Sequence, residues 1–123
     1  MKQLDSVTWG DVGFDSNPRQ WLIGAFIAKD SPLHDQTLEV KFGSPYKGEE
    51  RTEVEATADP ERRSLMFVIS GQMEFGFPAA ENQRARKLTL EPGEYVLWEP
   101  GILHYWKALS NSEVITIRWR SKP

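Results

Sequence analysis

Short segments rich in Val, Ile, Thr and aromatic residues recur along this sequence, with Gly, Pro or Asn between them roughly every ten residues. Segments of this length and composition are typical of β-strands, and no stretch has the apolar spacing of a long helix. The sequence therefore predicts an all-β fold. The expected strands are Trp21–Ala28, Leu38–Phe42, Arg51–Ala56, Ser64–Ser70, Met73–Phe77, Lys87–Leu90, Glu94–Trp98, Tyr105–Ala108 and Glu113–Trp119.

Prolines stand at or between the edges of these segments rather than inside them. Proline lacks the N–H that a strand interior donates to its neighbour, so Pro92 and Pro100 indicate turns. Each is followed by glycine, which is the residue order of a type II turn. Gly71, between two apolar segments, predicts a tight hairpin in which those segments pair. Residues 1–20 are of mixed polarity and predict no defined element.

The chain has 123 residues, 39% of them hydrophobic, which is enough for one domain with its own core. Its 15 basic and 18 acidic residues give a net charge of −3, so no nucleic-acid partner is expected. The absence of cysteine excludes thiolate metal sites and cysteine nucleophiles, and leaves oxygen and imidazole ligands. The longest nearly apolar run, Trp21–Ala28, is too short for a membrane span, so we expect a cytoplasmic protein without a membrane partner.

The segment from Gly93 to His104 resembles the second sequence signature of the cupin superfamily. That signature is a Gly, Pro, Gly, His and Asn at fixed spacing. Gly93, Gly101 and His104 occupy its positions, whereas Glu99 stands at the Pro position and Ala108 at the Asn position. The match implies that the chain carries the second half of a cupin barrel.

The strand that ends at Gly71 resembles the end of the first cupin signature. Ser64 stands where the family has a Glu, and the upstream positions of the family's paired histidines hold no imidazole. Of the family's metal-binding pattern, three His and one Glu, only His104 remains. The resemblance therefore implies a degenerate metal site.

The resemblance covers residues 38–119 and implies a small jelly-roll β-barrel, also called a double-stranded β-helix. It implies one cupin-like domain over residues 1–123, with a barrel core at 38–119 and an N-terminal strand or arm at 1–30. By the same resemblance, we expect a homodimer in which the N-terminal arm is swapped or packed against the partner.

His104 is the first candidate for chemistry, because the resemblance places it at the start of an inward-facing strand beside the barrel pocket. An imidazole there would hydrogen-bond a ligand or act as a general acid or base. The alternative is a buried histidine that is bonded to the backbone. Trp106 shares the face of His104 by strand period and would form a wall of the same pocket. His34 lies in an expected loop and is interpreted as a surface residue.

Glu53 and Glu55 are two residues apart, so both point to the same face of their strand. If that face is inward, the two carboxylates and His104 would form an oxygen-rich site for a divalent metal. If Thr52 and Val54 face inward instead, the carboxylates form an ordinary charged outer face. The sequence leaves both orientations open.

Arg51, Arg62 and Arg63 flank the place where the metal ligands are missing. A guanidinium inside the barrel would bind a carboxylate or phosphate through two hydrogen bonds, and Arg51 and Arg63 are the candidates for this contact. The alternative is pairing with surface acids such as Glu49 and Glu61.

In each of two further pairs of residues, one side chain must point into the barrel and the other must point out. Tyr95 and Trp98 lie on opposite faces of one strand, and both are candidate ligand-binding aromatics. On the last strand, Trp119 continues an apolar alternation and is expected to face inward, which leaves Arg118 outside.

Three functions are compatible with these residues. The first is a cupin-like protein that binds a small organic molecule without a cofactor, with an anion as one candidate ligand and metal-free isomerase-type chemistry at His104 as an extension. The second is a metal-dependent oxygenase or isomerase with Mn, Fe, Ni or Zn held by Glu53, Glu55 and His104. The third is a structural or interaction protein whose barrel is closed by tryptophans.

Overall fold

The computed structural model describes residues 1–55 and 61–120, with the side chains of residues 53–55 outside that description. The strands are β1 Lys2–Leu4, β2 Val7–Trp9, β3 Trp21–Ile23, β4 Leu38–Gly43, β5 Glu50–Glu55, β6 Arg62–Ser70, β7 Met73–Phe77, β8 Arg86–Leu90, β9 Tyr95–Trp98, β10 His104–Ala108 and β11 Glu113–Arg120. The short helix α1 spans Val12–Asp15. Within the described ranges, no helix has the length and apolar character needed to cross a membrane.

Two antiparallel sheets form the body of the fold. One has five strands in the order β3-β4-β11-β6-β9, and the other has four in the order β5-β10-β7-β8. Strands that are neighbours in a sheet come from distant parts of the chain, since β11 lies between β4 and β6, and β10 between β5 and β7. This interleaving is typical of a jelly roll. The expected all-β jelly-roll fold is confirmed.

The hydrophobic core lies between the inward faces of the two sheets. In β6, every second residue from Arg62 to Val68 is buried, as expected for a strand with one face against the interior. Met66, Val68, Met73 and Phe75 fill the interior between the sheets, and all four are buried.

The first expected strand is shorter than predicted. β3 ends at Ile23 rather than Ala28, because the Ile27 N–H donates to the Gly24 carbonyl at 3.3 Å and closes a turn. Before it, β1 and β2 pair as a small separate hairpin. Helix α1 follows, and its N-cap residue Asp11 accepts a hydrogen bond from the Gly13 N–H at 2.8 Å.

The prediction of a paired hairpin at Gly71 is wrong. Gly71 has the expected positive φ of 85°, but β6 pairs with β11 and β9 whereas β7 pairs with β10 and β8. The chain therefore passes from one sheet to the other at this glycine. The turn packs against a second crossing point, where the Gln72 N–H donates to Ser112 Oγ at 3.1 Å.

Replacing Gly71 with alanine is expected to lower the free energy of unfolding by about 2–4 kcal/mol, because both left-handed backbone and overpacking are penalised. A Cβ on Gly71 would lie 2.5 Å from the Asn111 carbonyl oxygen and 2.7 Å from Ser112 Cα. Gly48 is the matched control, since its φ is 89° but a Cβ on it would meet no atom within 4 Å. Gly48→Ala should cost only about 1–2 kcal/mol. Equal losses in urea denaturation would contradict the close packing at Gly71.

Candidate functional site

The strand register of the five-stranded sheet lines up inward-facing residues in rows across β4, β11, β6 and β9. The first row is Glu39, Arg118, Ser64 and Trp98, and the second row is Lys41, Thr116, Met66 and Val96. Charged and hydroxyl side chains are rare inside a small barrel unless they are paired or serve a ligand. The inner face of this sheet is therefore polar along one stretch of a barrel that is otherwise apolar.

A cavity of about 320 Å³ lies against these rows, between the two sheets. Four cationic side chains line it, those of Arg19, Lys41, Arg51 and Arg118. Among the described residues, Glu49 is the one acidic residue on the cavity wall. Among the described residues of the cavity wall, cations therefore outnumber the carboxylate by four to one, although the whole chain has a net charge of −3.

Trp21 and Glu39 organise the inner part of this cationic wall. Arg118 Cζ lies 4.2 Å from the centroid of the Trp21 ring, and Lys41 Nζ lies 5.5 Å from it. Arg118 Nε also contacts Glu39 Oε1 at 2.8 Å, and Arg62 Nη1 contacts the other carboxylate oxygen at 3.4 Å. These contacts fix the direction in which the Arg118 guanidinium meets the cavity.

The charges on the wall act on one another. Burial lowers the pKa of Lys41 below its ordinary value, and the positive charges of Arg51, Arg118 and Arg19 lower it further. The carboxylate of Glu49 opposes this shift. Cations that destabilise one another in this way are stabilised together by a bound anion.

Aromatic rings surround His104 on the side of the cavity next to the core. The imidazole lies 4.7 Å from the Trp98 ring and 6.3 Å from the Phe75 ring, between centroids. Its Nδ1 is 3.0 Å from the Ile102 carbonyl oxygen, so a neutral ring in this position carries the proton on Nδ1 and the lone pair on Nε2. Trp106 lines the same cavity, as strand period predicted.

Ser64 lies in the cavity wall and is completely buried. Its Oγ makes no hydrogen bond with any residue in the described part of the chain. A buried hydroxyl without a hydrogen-bond partner destabilises the folded protein by about 1–3 kcal/mol. A ligand atom at hydrogen-bonding distance would remove this penalty. Ser64 therefore provides a second polar feature, besides the cations, that a ligand would satisfy.

The cavity brings together four of the residues that the sequence indicated, His104, Trp106, Arg51 and Trp98. The other two predicted ligand contacts do not line it. Arg63 points away from the interior and pairs with Glu99 at 2.9 Å, and Tyr95 is 65% exposed. The outward positions of Arg63 and Tyr95 follow from strand alternation, since their neighbours Ser64 and Val96 are buried.

His34 lies outside the cavity lining, in the loop where it was expected. Its Nδ1 is 2.7 Å from the Ile27 carbonyl oxygen, and its Nε2 is 3.1 Å from the Gln36 amide nitrogen. These bonds hold the loop between β3 and β4. His104 is therefore the one histidine among the described residues that line the cavity.

The prediction that Trp119 faces inward is wrong. Arg118 lines the cavity, and Trp119 lies on the outward face of β11 with its neighbours Ile115 and Ile117. The apolar alternation is real, but it marks the outer face of this sheet. Lys41 was missed for the same reason, because the apolar residues beside it on β4, Val40 and Phe42, lie on the outer face.

The described donors do not fit the cupin family's metal-binding pattern of three His and one Glu. Ser64, at the signature's Glu position, offers a neutral hydroxyl, and four cations lie on the same wall. Among the described residues, no group of three His, Asp or Glu side chains could hold a metal. The backbone of Glu55 is in register with His104, but the side chains of Glu53 and Glu55, the other predicted ligands, lie outside the described residues.

Comparison of the sequence with known proteins gives no assignment. No family model matches the chain, and no curated protein matches it.

Comparison of the structure with solved structures does find similar proteins. A cupin superfamily protein from Desulfitobacterium hafniense has a TM-score of 0.58 and 14% identity, with 71% of each chain covered. A cupin protein from Bacteroides fragilis has a TM-score of 0.58 and 16% identity, with 71% of this chain and 69% of that chain covered. Bacillus subtilis oxalate decarboxylase, described for its Mn(II) centres, has a TM-score of 0.59 and 16% identity, with 71% and 22% covered. The chain therefore has the cupin jelly-roll fold.

Proposed function

We propose that the chain binds a small organic anion, specifically a carboxylate, in the cavity between its two sheets. The observation that carries this proposal is the charge of the wall, with Arg19, Lys41, Arg51 and Arg118 against the single carboxylate of Glu49 among the described residues. Guanidinium groups match the geometry of a carboxylate and bind it through two parallel hydrogen bonds.

The size of the cavity limits the ligand. Pockets for drug-sized molecules range from about 300 to 1,000 Å³, and a volume of about 320 Å³ lies at the lower end of that range. Arg19 and Arg51 are exposed, so the cavity is reached from solvent past two of its cations. A ligand of a few carbon atoms fits both conditions.

The remaining wall residues suit the rest of such a ligand. Trp98, Phe75 and Trp106 offer flat apolar surface for a short carbon chain. Ser64 Oγ offers a hydrogen bond to a second polar group, and His104 would carry any proton transfer at the ligand. Among proteins of the same fold, an oxalate decarboxylase is named for a small dicarboxylate, which supports this ligand class.

Tryptophan fluorescence tests the proposal, because Trp21, Trp98 and Trp106 line the cavity. Acetate, oxalate, succinate and lactate are titrated beside their neutral amides, which have the same shape without the charge. We expect saturable quenching by at least one carboxylate, weakened by added salt, and none by the matching amide. Equal binding of acid and amide, or no quenching by any acid in the panel, would falsify the proposal.

The alternative of a metal enzyme is tested by the metal content of the protein purified without an affinity tag. The observation that favours this alternative is the strand register, which places Glu55 opposite His104. Stoichiometric Mn, Fe, Ni or Zn that is lost in both His104→Ala and Glu55→Gln would replace the anion proposal with a metal site. Protein that takes up no metal on titration would leave the cationic wall as the binding element.

A second copy of the chain is the partner that we propose. The outward face of the five-stranded sheet carries two apolar rows that are partly exposed. These rows are Val40, Ile117, Leu65 and Leu97, followed by Phe42, Ile115, Phe67 and Tyr95. A continuous apolar face of this kind is typical of an interface.

Sedimentation velocity tests the dimer. The wild-type protein is expected to sediment at twice the mass of one chain, and Ile117→Lys should convert it to monomer by placing a charge in the centre of this face. Leu88→Lys, on an exposed position of β8, is the control and should leave the dimer intact. A wild-type monomer at micromolar concentration contradicts the assembly.

A further inference from the structure

We propose that Lys41 is a nucleophile that forms an imine with the carbonyl group of a small oxo acid whose carboxylate is held by the neighbouring guanidiniums. This inference rests on the proposed function, since it adds a carbonyl group to the anion that the cavity binds. It narrows the ligand class from carboxylates in general to compounds that carry a carbonyl beside or near the carboxylate.

The position of Lys41 is the first support. It lies on the inner face of β4, in register with Thr116, and its side chain lines the cavity. Its Nζ lies 5.5 Å from the Trp21 ring centroid. The amine is therefore inside the site, beside the aromatic ring that also carries Arg118.

The surroundings of the amine are the second support. In the described part of the chain, Lys41 makes neither a hydrogen bond nor an ion pair, unlike Lys87, which contacts Glu74 at 3.4 Å. Burial and the three guanidiniums together lower the pKa of Lys41, so a larger fraction of this amine is unprotonated than of an exposed lysine. Lysines that are desolvated next to other cations are known to act as nucleophiles through this effect.

The other lysines of the described chain lack this combination. Lys2, Lys29, Lys47, Lys87 and Lys107 are all exposed, and none lines the cavity. Lys41 is thus the one described lysine that lines the cationic cavity and has an amine without an ion-pair partner. An oxo acid bound to Arg51 or Arg118 would bring its carbonyl carbon next to this amine.

The reaction is balanced without a further reactant. The unprotonated amine attacks the carbonyl carbon, and a C–N bond forms as the carbonyl oxygen becomes a hydroxyl. Loss of that oxygen as water, with both hydrogens of the amine, leaves a C=N bond between the lysine and the ligand. No group is oxidised or reduced, and the ligand carboxylate remains bound to the cationic wall.

Reductive trapping on the full-length chain tests the proposal. The protein is incubated with pyruvate and cyanoborohydride, and its peptides are analysed by mass spectrometry. Lys41 should gain the mass of pyruvic acid less one oxygen atom, roughly tenfold or more faster than exposed Lys107, because the cationic cavity concentrates the anion. Labelling of Lys41 no faster than Lys107 would overturn the proposal.

Two probes and one variant separate this inference from simple anion binding. Lactate, which has the carboxylate but no ketone, should compete and slow the labelling of Lys41, whereas acetone, which has only the carbonyl, should show a much smaller preference for Lys41 over Lys107 than pyruvate does. Lys41→Arg keeps the positive charge, so it should retain carboxylate binding and lose the adduct. Quenching by carboxylates together with no selective adduct overturns the imine and leaves the proposed function, whereas loss of both overturns both.

The pH dependence of labelling gives an independent readout. Because the pKa of Lys41 is lowered, its advantage over Lys107 should be largest near neutral pH and should decrease as alkaline pH deprotonates both amines. An advantage that is unchanged from neutral to alkaline pH would count against the unprotonated amine of Lys41 as the nucleophile.

Discussion

Glu39→Ala is expected to lower the free energy of unfolding by about 3–5 kcal/mol, the usual cost of breaking a buried ion pair from one side. Glu39 is 6% exposed and contacts two arginines, Arg62 at 3.4 Å and Arg118 at 2.8 Å. Arg62 is also buried and donates a hydrogen bond to the Gln36 carbonyl at 2.8 Å, so it is held in place when the carboxylate is removed. The variant therefore leaves positive charge in a region with little solvent.

Glu99→Ala is the matched control for this prediction. Glu99 contacts Arg63 at 2.9 Å, a distance similar to that between Glu39 and Arg118, but its side chain is 54% exposed. An exposed pair of this kind contributes about 0–1 kcal/mol. Chemical denaturation of both variants measures the difference. Similar losses for Glu39→Ala and Glu99→Ala would contradict a buried charge cluster under the cavity.

Arg51→Gln is expected to weaken carboxylate binding about 10- to 100-fold, the range that corresponds to one charge-assisted hydrogen bond of about 1.5–3 kcal/mol. Arg51 stands on β5 and lines the cavity, and glutamine keeps much of its length while it removes the charge. The effect should appear in the dissociation constant from fluorescence titration and should shrink as salt is added, since salt already screens the lost attraction.

Arg63→Gln is the control for Arg51→Gln. Sequence reasoning named both arginines as anion contacts, but Arg63 lies on the outer face of β6 and pairs with Glu99. Its replacement should leave the dissociation constant unchanged within about twofold, as expected for a charge far from the ligand. If Arg63→Gln weakened binding as much as Arg51→Gln, the anion would be bound outside the cavity.

The fold was predictable from local chemistry. Residues of β7 alternate in polarity, and the Pro-Gly pairs at 92–93 and 100–101 form the turns that their residue order requires. At the second turn, the Ile102 N–H bonds to the Glu99 carbonyl at 3.3 Å. The crossing at Gly71 was not predictable, because strand pairing depends on distant segments and a glycine with positive φ fits a hairpin and a crossing equally well.

The site was predictable only in part. His104 and Trp106 share a face by strand period, and the resemblance to cupins pointed that face inward. Lys41 and Arg118 could not be found in this way, because alternation separates the two faces of a strand without saying which one is inside. In β4 and β11 the apolar face is the outer one, which reverses the usual assignment and conceals a charged cavity wall.

Binding of a small carboxylate in the cationic cavity can be followed at the indole N–H resonances of the five tryptophans during a carboxylate titration. Trp21, Trp98 and Trp106 line the cavity, whereas Trp9 is 50% exposed on β2 and Trp119 lies on the outer face of β11. We expect saturable shifts for the first three resonances and none for Trp9 and Trp119. Shifts confined to Trp9 or Trp119, or no shift in any resonance at saturating carboxylate, would contradict binding in the cavity.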